Sequence, residues 1–183
     1  MTKTRKIIAS AFVFVFLLAS FAVPASAARL PWWLVNRNGH VNYVGSTRYS
    51  AYFLWAVPVW NAHTSTAPQS RNVIRASGIW DSADVHVGDY TDRNCHFVAF
   101  VGRRALFGNG AFNAGRMRFN THHMNALNQA QRRWVMLHEL GHTMGVYHIA
   151  GDNVMRGDII STRNTLSNLD RQWADNAWRH FRG

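Results

Sequence analysis

The sequence predicts an α+β domain, on three observations. Short apolar runs of strand length, Val41–Val44, Val73–Ala76, Ala83–Val87 and Phe97–Val101, stand between turn-forming residues. Longer stretches with the density or spacing of helices interrupt and follow them: Tyr49–Asn61, a segment from Asn125 or Asn128 to Met144, and one from Ser167 to Phe181. With 48% apolar residues and eight Trp, the chain has enough apolar surface to build one core.

The first 27 residues read as a signal peptide. Lys3, Arg5 and Lys6 precede an apolar run from Ile7 to Phe21, and Pro24-Ala25-Ser26-Ala27 supplies a small-residue cleavage site. The run is shorter than the ~18 residues a spanning helix needs, so the expected product is secreted, extracellular and without a membrane span. It would begin near Ala28. Residues 28–40 form a lead-in segment with Pro31-Trp32-Trp33 and a polar turn at Asn36-Arg37-Asn38-Gly39, and residues 41–183 form the single domain.

Charge narrows the partners. Removing Lys3, Arg5 and Lys6 from the 20 basic residues leaves 17, all Arg, against nine acidic ones, a formal +8. Such a surface attracts anions weakly. Arg103-Arg104 and Arg132-Arg133 are only pairs, too short for a nucleic-acid arm, so no specific nucleic-acid partner is expected. Cys95 is alone, which excludes an internal disulfide and reads as a small buried hydrophobe.

Within the domain, Val41–Val44 is a first strand ending at Gly45, and Tyr49–Asn61 a buried helix with Pro58 as a kink or terminus. His63–Asn72 is a polar loop, Val73–Ala76 and Ala83–Val87 are strands, and Asp89–Asn94 is a turn before Phe97–Val101. His86, Asp89, Asp92 and His96 read as solvated loop groups; a Ca2+ on the Asp oxygens is the minority alternative, because calcium prefers carboxylates to imidazole. Gly102–Gly115 is a glycine-rich loop, and Arg116–Asn120 follows it before the metal-helix segment. His122 and His123 are solvated loop residues, and Ser167-Asn168-Leu169-Asp170 resembles a capping box opening the last helix.

The chemistry concentrates between His138 and His148, in His-Glu-Leu-Gly-His-Thr-Met-Gly-Val-Tyr-His. On a helix, His138 and His142 share a face with Cβ atoms roughly 5–6 Å apart, so both imidazoles can reach one Zn2+. Glu139, about 100° round the helix from His138, can flank the ion as general base without replacing a ligand. It is the only Glu in the chain. A continuing helix would carry His148 roughly 9 Å past His142; Gly145 can take the left-handed conformation that ends a helix and lets His148 return.

These residues, with Met155 downstream, resemble the metzincin zinc metalloproteases, in which His-Glu-x-x-His-x-x-Gly-x-x-His precedes a methionine turn. Trp60-Asn61, Ala83–Val87 and Arg116–Asn120 follow in matrixin-like order, although the run Asp152–Gly157 lacks the Ser and Pro that usually flank the matrixin methionine turn. Snapalysin-type proteases carry Asp as third ligand, where this chain has His148. The resemblance implies a twisted five-stranded mixed sheet with an antiparallel edge strand and about three helices. It implies one catalytic Zn2+ on His138, His142 and His148, Met155 as an apolar floor, Asp158–Thr165 as a pocket wall, and Arg116–Asn120 as the edge strand against which an extended peptide would pair. The activity implied is secreted zinc-dependent endopeptidase action on protein or peptide substrates, through zinc-bound water activated by Glu139. A zinc-binding secreted interaction module with little turnover is the alternative. The oligomeric state is open.

Overall fold

Parallel pairing dominates the sheet of this protein, described by a computed structural model for residues 34–36, 38–64, 74–78, 83–102 and 115–181. The signal-peptide region, most of the lead-in, Val73 and the Arg103–Ala114 part of the glycine-rich loop lie outside the described residues. Five strands, β1 (Val41–Gly45), β2 (Ile74–Ala76), β3 (Val85–Tyr90), β4 (Ala99–Gly102) and β5 (Gly115–Asn120), lie in the order β2-β1-β3-β5-β4. The first three pairings are parallel and β4 runs antiparallel to β5. Among the described residues, four helices accompany them: α1 (Ser50–Thr64), a single turn α2 (Thr121–Met124), α3 (Gln129–Thr143) and α4 (Asn168–Phe181). The class is α+β with a mixed sheet, as the sequence predicts. None of the described helices is long and apolar enough to cross a membrane.

One expectation is overturned. Arg116–Asn120 is not an edge strand: β5 pairs with β3 on one side and β4 on the other. The alternation in Gly-Arg-Met-Arg-Phe-Asn marks a strand with one buried and one exposed face, which says nothing about which strands flank it. Met117 and Phe119 are fully buried while Arg116 is exposed. The antiparallel edge belongs to β4.

Val41, Ile74, Val85, Val87, Met117 and Phe119 make the buried face of the sheet, which joins one core with Phe53, Ala56 and Trp60 of α1 and Leu137 and Leu140 of α3. Burial of each such large side chain contributes roughly 1.5–3 kcal/mol. Two polar contacts fix the helices within this apolar mass. Trp60 Nε1 donates to Leu137 O at 2.9 Å, tying α1 to α3. Asn61 accepts from Ile74 N at 3.0 Å and donates to Ile74 O at 2.8 Å, standing in for a neighbouring strand at the edge of β2.

α1 continues past Pro58 to Thr64, beyond the expected end at Asn61. The proline removes one i→i−4 hydrogen bond, whose acceptor would be Leu54 O. Leu54 is 57% exposed, so water can reach that turn. His122 and His123 lie in α2 rather than in a loop; Asn120 caps this turn by accepting from His122 N at 3.2 Å.

Candidate metal centre

α3 begins where Asn128 caps it. The Asn128 side chain accepts from Gln131 N at 3.0 Å, and Gln131 Oε1 accepts from Asn128 N at 3.0 Å, a reciprocal capping box. The helix then carries His138 and His142 one turn apart, with ring centroids 4.6 Å from each other. It ends in a Schellman arrangement: Val146 N donates to Gly141 O at 3.2 Å and Gly145 N to His142 O at 3.0 Å. Gly145 has φ +85°, a conformation that a side chain would strain. The reversal brings the His148 ring to 5.1 Å from both the His138 and His142 rings.

The three imidazoles converge through Nε2. His138 Nε2 lies 3.1 Å from His142 Nε2 and 3.2 Å from His148 Nε2. His138 Nδ1 is 2.9 Å from Val154 O and His142 Nδ1 is 2.7 Å from Val146 O. A carbonyl oxygen only accepts, so both Nδ1 atoms carry the proton and both Nε2 atoms are bare lone pairs. Two acceptors 3.1 Å apart do not hydrogen-bond to each other; a shared cation reconciles them. Nitrogens placed tetrahedrally about Zn2+ at 2.0–2.1 Å stand about 3.3 Å apart, close to the observed separations. Among the described residues, this is the one group of three or more metal-ligating side chains within reach of a common ion.

Electrostatics favour the ligand form. Burial, reinforced by the neighbouring imidazoles, pushes His138 down to about 3; burial likewise pushes His142 down to about 4 and lowers His148. All three are neutral at pH 7, and a proton competes poorly for the nitrogens a metal needs. The site is open on one side, since His138 is buried, His142 half-buried and His148 exposed.

Glu139 follows His138 into the core at 6% exposure, and its Oε2 is buried without a hydrogen-bond partner. Burial pushes this carboxyl up to about 8. An unpartnered buried carboxylate is costly, and a nearby cation is what restores its charged form. The bare nitrogens and this orphaned oxygen therefore make a donor set that fits Zn2+.

Met155, next to Val154 in the chain, is fully buried. Gly141 makes room for it, because a Cβ there would meet Met155 Sδ at 2.3 Å. Gly157 does the same for the third histidine, where a Cβ would meet His148 Nδ1 at 2.4 Å. Trp134, one turn before His138, lays its ring 4.8 Å from that imidazole.

Asp170 is the residue that sequence reasoning missed. It was expected only as part of a cap, and it does accept from Ser167 N and Ser167 Oγ at 2.7 Å each. Fully buried, it also accepts from Val154 N and Met155 N at 3.0 Å each. One carboxylate thus clamps α4 to the methionine-bearing turn whose Val154 O holds His138. The signal in the sequence was Asp rather than Glu at the fourth residue of the cap, a short arm confined near backbone.

The other candidates do not join the triad. Asp89 accepts from Thr47 Oγ1 and, at 2.9 Å, from Arg48 N; Asp92 closes a local turn by accepting from Asn94 N at 2.8 Å and Cys95 N at 3.2 Å. These carboxylates serve different backbone segments, and His86 and His96 do not gather with them into a ligand cluster among the described residues. His123 Nε2 lies 2.6 Å from Cys95 O, and Cys95 Sγ 3.4 Å from Tyr90 OH.

Comparison with protein-family models and with curated proteins gives no match to this chain.

Proposed function

We propose that the protein is a secreted zinc-dependent endopeptidase, with His138, His142 and His148 as metal ligands and Glu139 as general base. One observation carries the reading: a buried carboxylate with an unpartnered oxygen, adjacent in sequence to a ligand of a three-imidazole site that is open on one side. A site kept only to hold metal gains nothing from that carboxylate.

When bound, Zn2+ supplies Lewis acidity, polarising a scissile carbonyl and acidifying water. The protein's own groups do the rest. Val154 O and Val146 O fix the ring orientation of His138 and His142, so the nitrogens are set before substrate arrives. Glu139 takes a proton from the attacking water and delivers it to the leaving amine as the C–N bond breaks. Burial holds Glu139 in surroundings where a proton is readily accepted and returned. The exposed side at His148 gives a peptide access.

β4 is the strand for such a peptide. It pairs only with β5 among the described residues and packs against α3. Its outer N–H and C=O groups can extend the sheet with a substrate backbone. The test is cleavage of unfolded casein by the chain beginning at Ala28, with and without a zinc chelator, beside Glu139→Ala, with metal content measured for each sample. Cleavage with about one zinc per chain, abolished by the chelator and by Glu139→Ala, supports the reading. Bound zinc without cleavage of any protein or peptide substrate favours the interaction module, and absence of zinc overturns both.

A further inference from the structure

The core takes most of α1, with Tyr52, Trp55, Val57 and Val59 packed partly against it, and leaves one apolar stripe exposed. Its sequence, Ser-Ala-Tyr-Phe-Leu-Trp-Ala-Val-Pro-Val-Trp-Asn-Ala-His-Thr, contains no acidic residue and is apolar on nearly every side. At about 100° per residue, Phe53, Ala56 and Trp60 share one side, and all three are buried. Ala51, Leu54, Trp55 and Pro58 fall on the opposite side. Ala51, Leu54 and Pro58 are exposed, Leu54 by 57%, and Trp55 is half-buried. A soluble helix normally turns polar residues outward.

The rim of this stripe is cationic. Arg133 of α3 lies with its guanidinium 5.0 Å from the Trp55 ring centroid, and Arg132 lies 5.9 Å from Tyr52 and from Tyr49. Arg132 is engaged in the fold, donating to Met124 O and Asn125 O at 3.0 Å each. Arg133 Nε, by contrast, is buried without a partner. Neither α1 nor the first half of α3, up to Glu139, contributes an acidic residue.

We propose that the outer face of α1 docks on an anionic lipid bilayer. The aliphatic stripe seats at the headgroup boundary, Trp55 lies at the interface and Arg133 meets lipid phosphates. The helix lies on the surface, as it is too short to cross. A second copy of the chain is the poorer occupant, since pairing two such faces brings two arginine rims together in a protein that carries a formal +8 from Ala28 on. Ala51, Leu54 and Pro58 are not among the residues that gather at the histidine site. Docking does not depend on that site being loaded with metal.

The experiment is cosedimentation of the chain beginning at Ala28 with vesicles of phosphatidylglycerol and phosphatidylcholine in equal parts, beside pure phosphatidylcholine, with a zinc chelator present throughout. Every described element lies after residue 33, so this form keeps them all and excludes the apolar stretch Ile7–Phe21. The expected result is binding to the anionic vesicles only. Leu54→Ser should weaken it about tenfold and Arg133→Gln about fivefold. Arg116→Gln, which removes one charge from the exposed side of β5, should change it less than twofold. Thermal unfolding of each variant checks that the fold is kept. No binding to anionic vesicles overturns the proposal, as does equal loss in Arg116→Gln and Arg133→Gln. A concentration-dependent dimer that Leu54→Ser dissolves would show that a second copy covers the stripe, and would overturn it too.

Discussion

Asp170→Asn is the substitution that best separates holding the fold from holding the metal. The Asp170 carboxylate accepts four hydrogen bonds at 2.7–3.0 Å, two from the Val154 and Met155 amides and two from Ser167. An amide of the same shape offers one oxygen and one NH2 group. Oδ2 takes three of these bonds and Oδ1 only that of the Met155 amide, so the better orientation of the amide leaves its NH2 facing the Met155 N–H, a donor that it cannot satisfy. Stranding a buried donor costs about 1–3 kcal/mol, so the loss should be roughly 1–3 kcal/mol, or a fall in Tm of roughly 2–12 °C for a domain of this size.

The second readout is zinc affinity. His138 Nδ1 donates to Val154 O, which shares its peptide unit with the Met155 N–H that Asp170 Oδ1 holds, so losing that bond frees Val154. Loosening that residue lets the ring turn, and loss of such outer contacts weakens metal binding about 10–100-fold. Ser167→Ala is the comparison. It removes the hydroxyl that donates to Asp170 and caps Asp170 N, at about 1 kcal/mol, yet leaves the Val154 and Met155 amides paired. Thermal unfolding and competition with a chelator should therefore show Asp170→Asn weakened in both stability and zinc affinity, and Ser167→Ala in stability alone. Equal zinc affinity in the two variants would refute the idea that the α4 clamp reaches the metal through Val154.

Two further predictions concern the loop behind His148. Gly157→Ala places a methyl where His148 Nδ1 would be 2.4 Å away; because His148 is exposed, the ring should yield rather than the core, so zinc affinity falls at least tenfold, measured by the same chelator competition, while Tm moves by only a few degrees. Either side of Gly157, Arg156 donates to both Asp158 oxygens at 2.8 Å, and this pairing holds the Asp158 carboxyl down to about 2. A lowered carboxylate contributes stability above its unfolded value near 3.9 and loses it as pH falls toward 2; an NMR titration should place Asp158 near 2 at low salt and return it toward 3.9 in 1 M salt, since the pair is exposed.

The metal helix was legible because its grammar is local. His138 with His142 and the glycine at 145 each act within a few residues, and the chain spells them out, whereas the helix start is open in the sequence between Asn125 and Asn128, and the Asn128–Gln131 capping box decides it. Met155 was legible through its distance from the motif. Strand order was not legible. The alternation from Gly115 to Asn120 reports which face is buried, whereas the position of β5 between β3 and β4 depends on β4 entering antiparallel at the rim. Asp170 was hidden for a related reason: its bonds to Ser167 are local, but its bonds to Val154 and Met155 span 15 and 16 residues and form only when α4 packs beneath the turn.

Carboxylate use across the chain sharpens the case for Glu139. Asp84, Asp89, Asp92 and Asp170 each accept from backbone amides, of Asn42, Arg48, Asn94 and Val154 among others. The short aspartate arm suits that work, because the amides lie close to its own backbone or to a packed turn. Glu139 has no such engagement at Oε2. Its extra methylene is then a requirement of reach rather than of helix propensity. Glu139→Asp keeps the charge and withdraws it by about one bond length, and a misplacement near 1 Å costs about 10²-fold in rate. Casein cleavage by Glu139→Asp should therefore fall by about two orders of magnitude, with zinc content and Tm close to the parent. Full activity in that variant would mean that the carboxylate's position does not matter, and the general-base role would have to be given up.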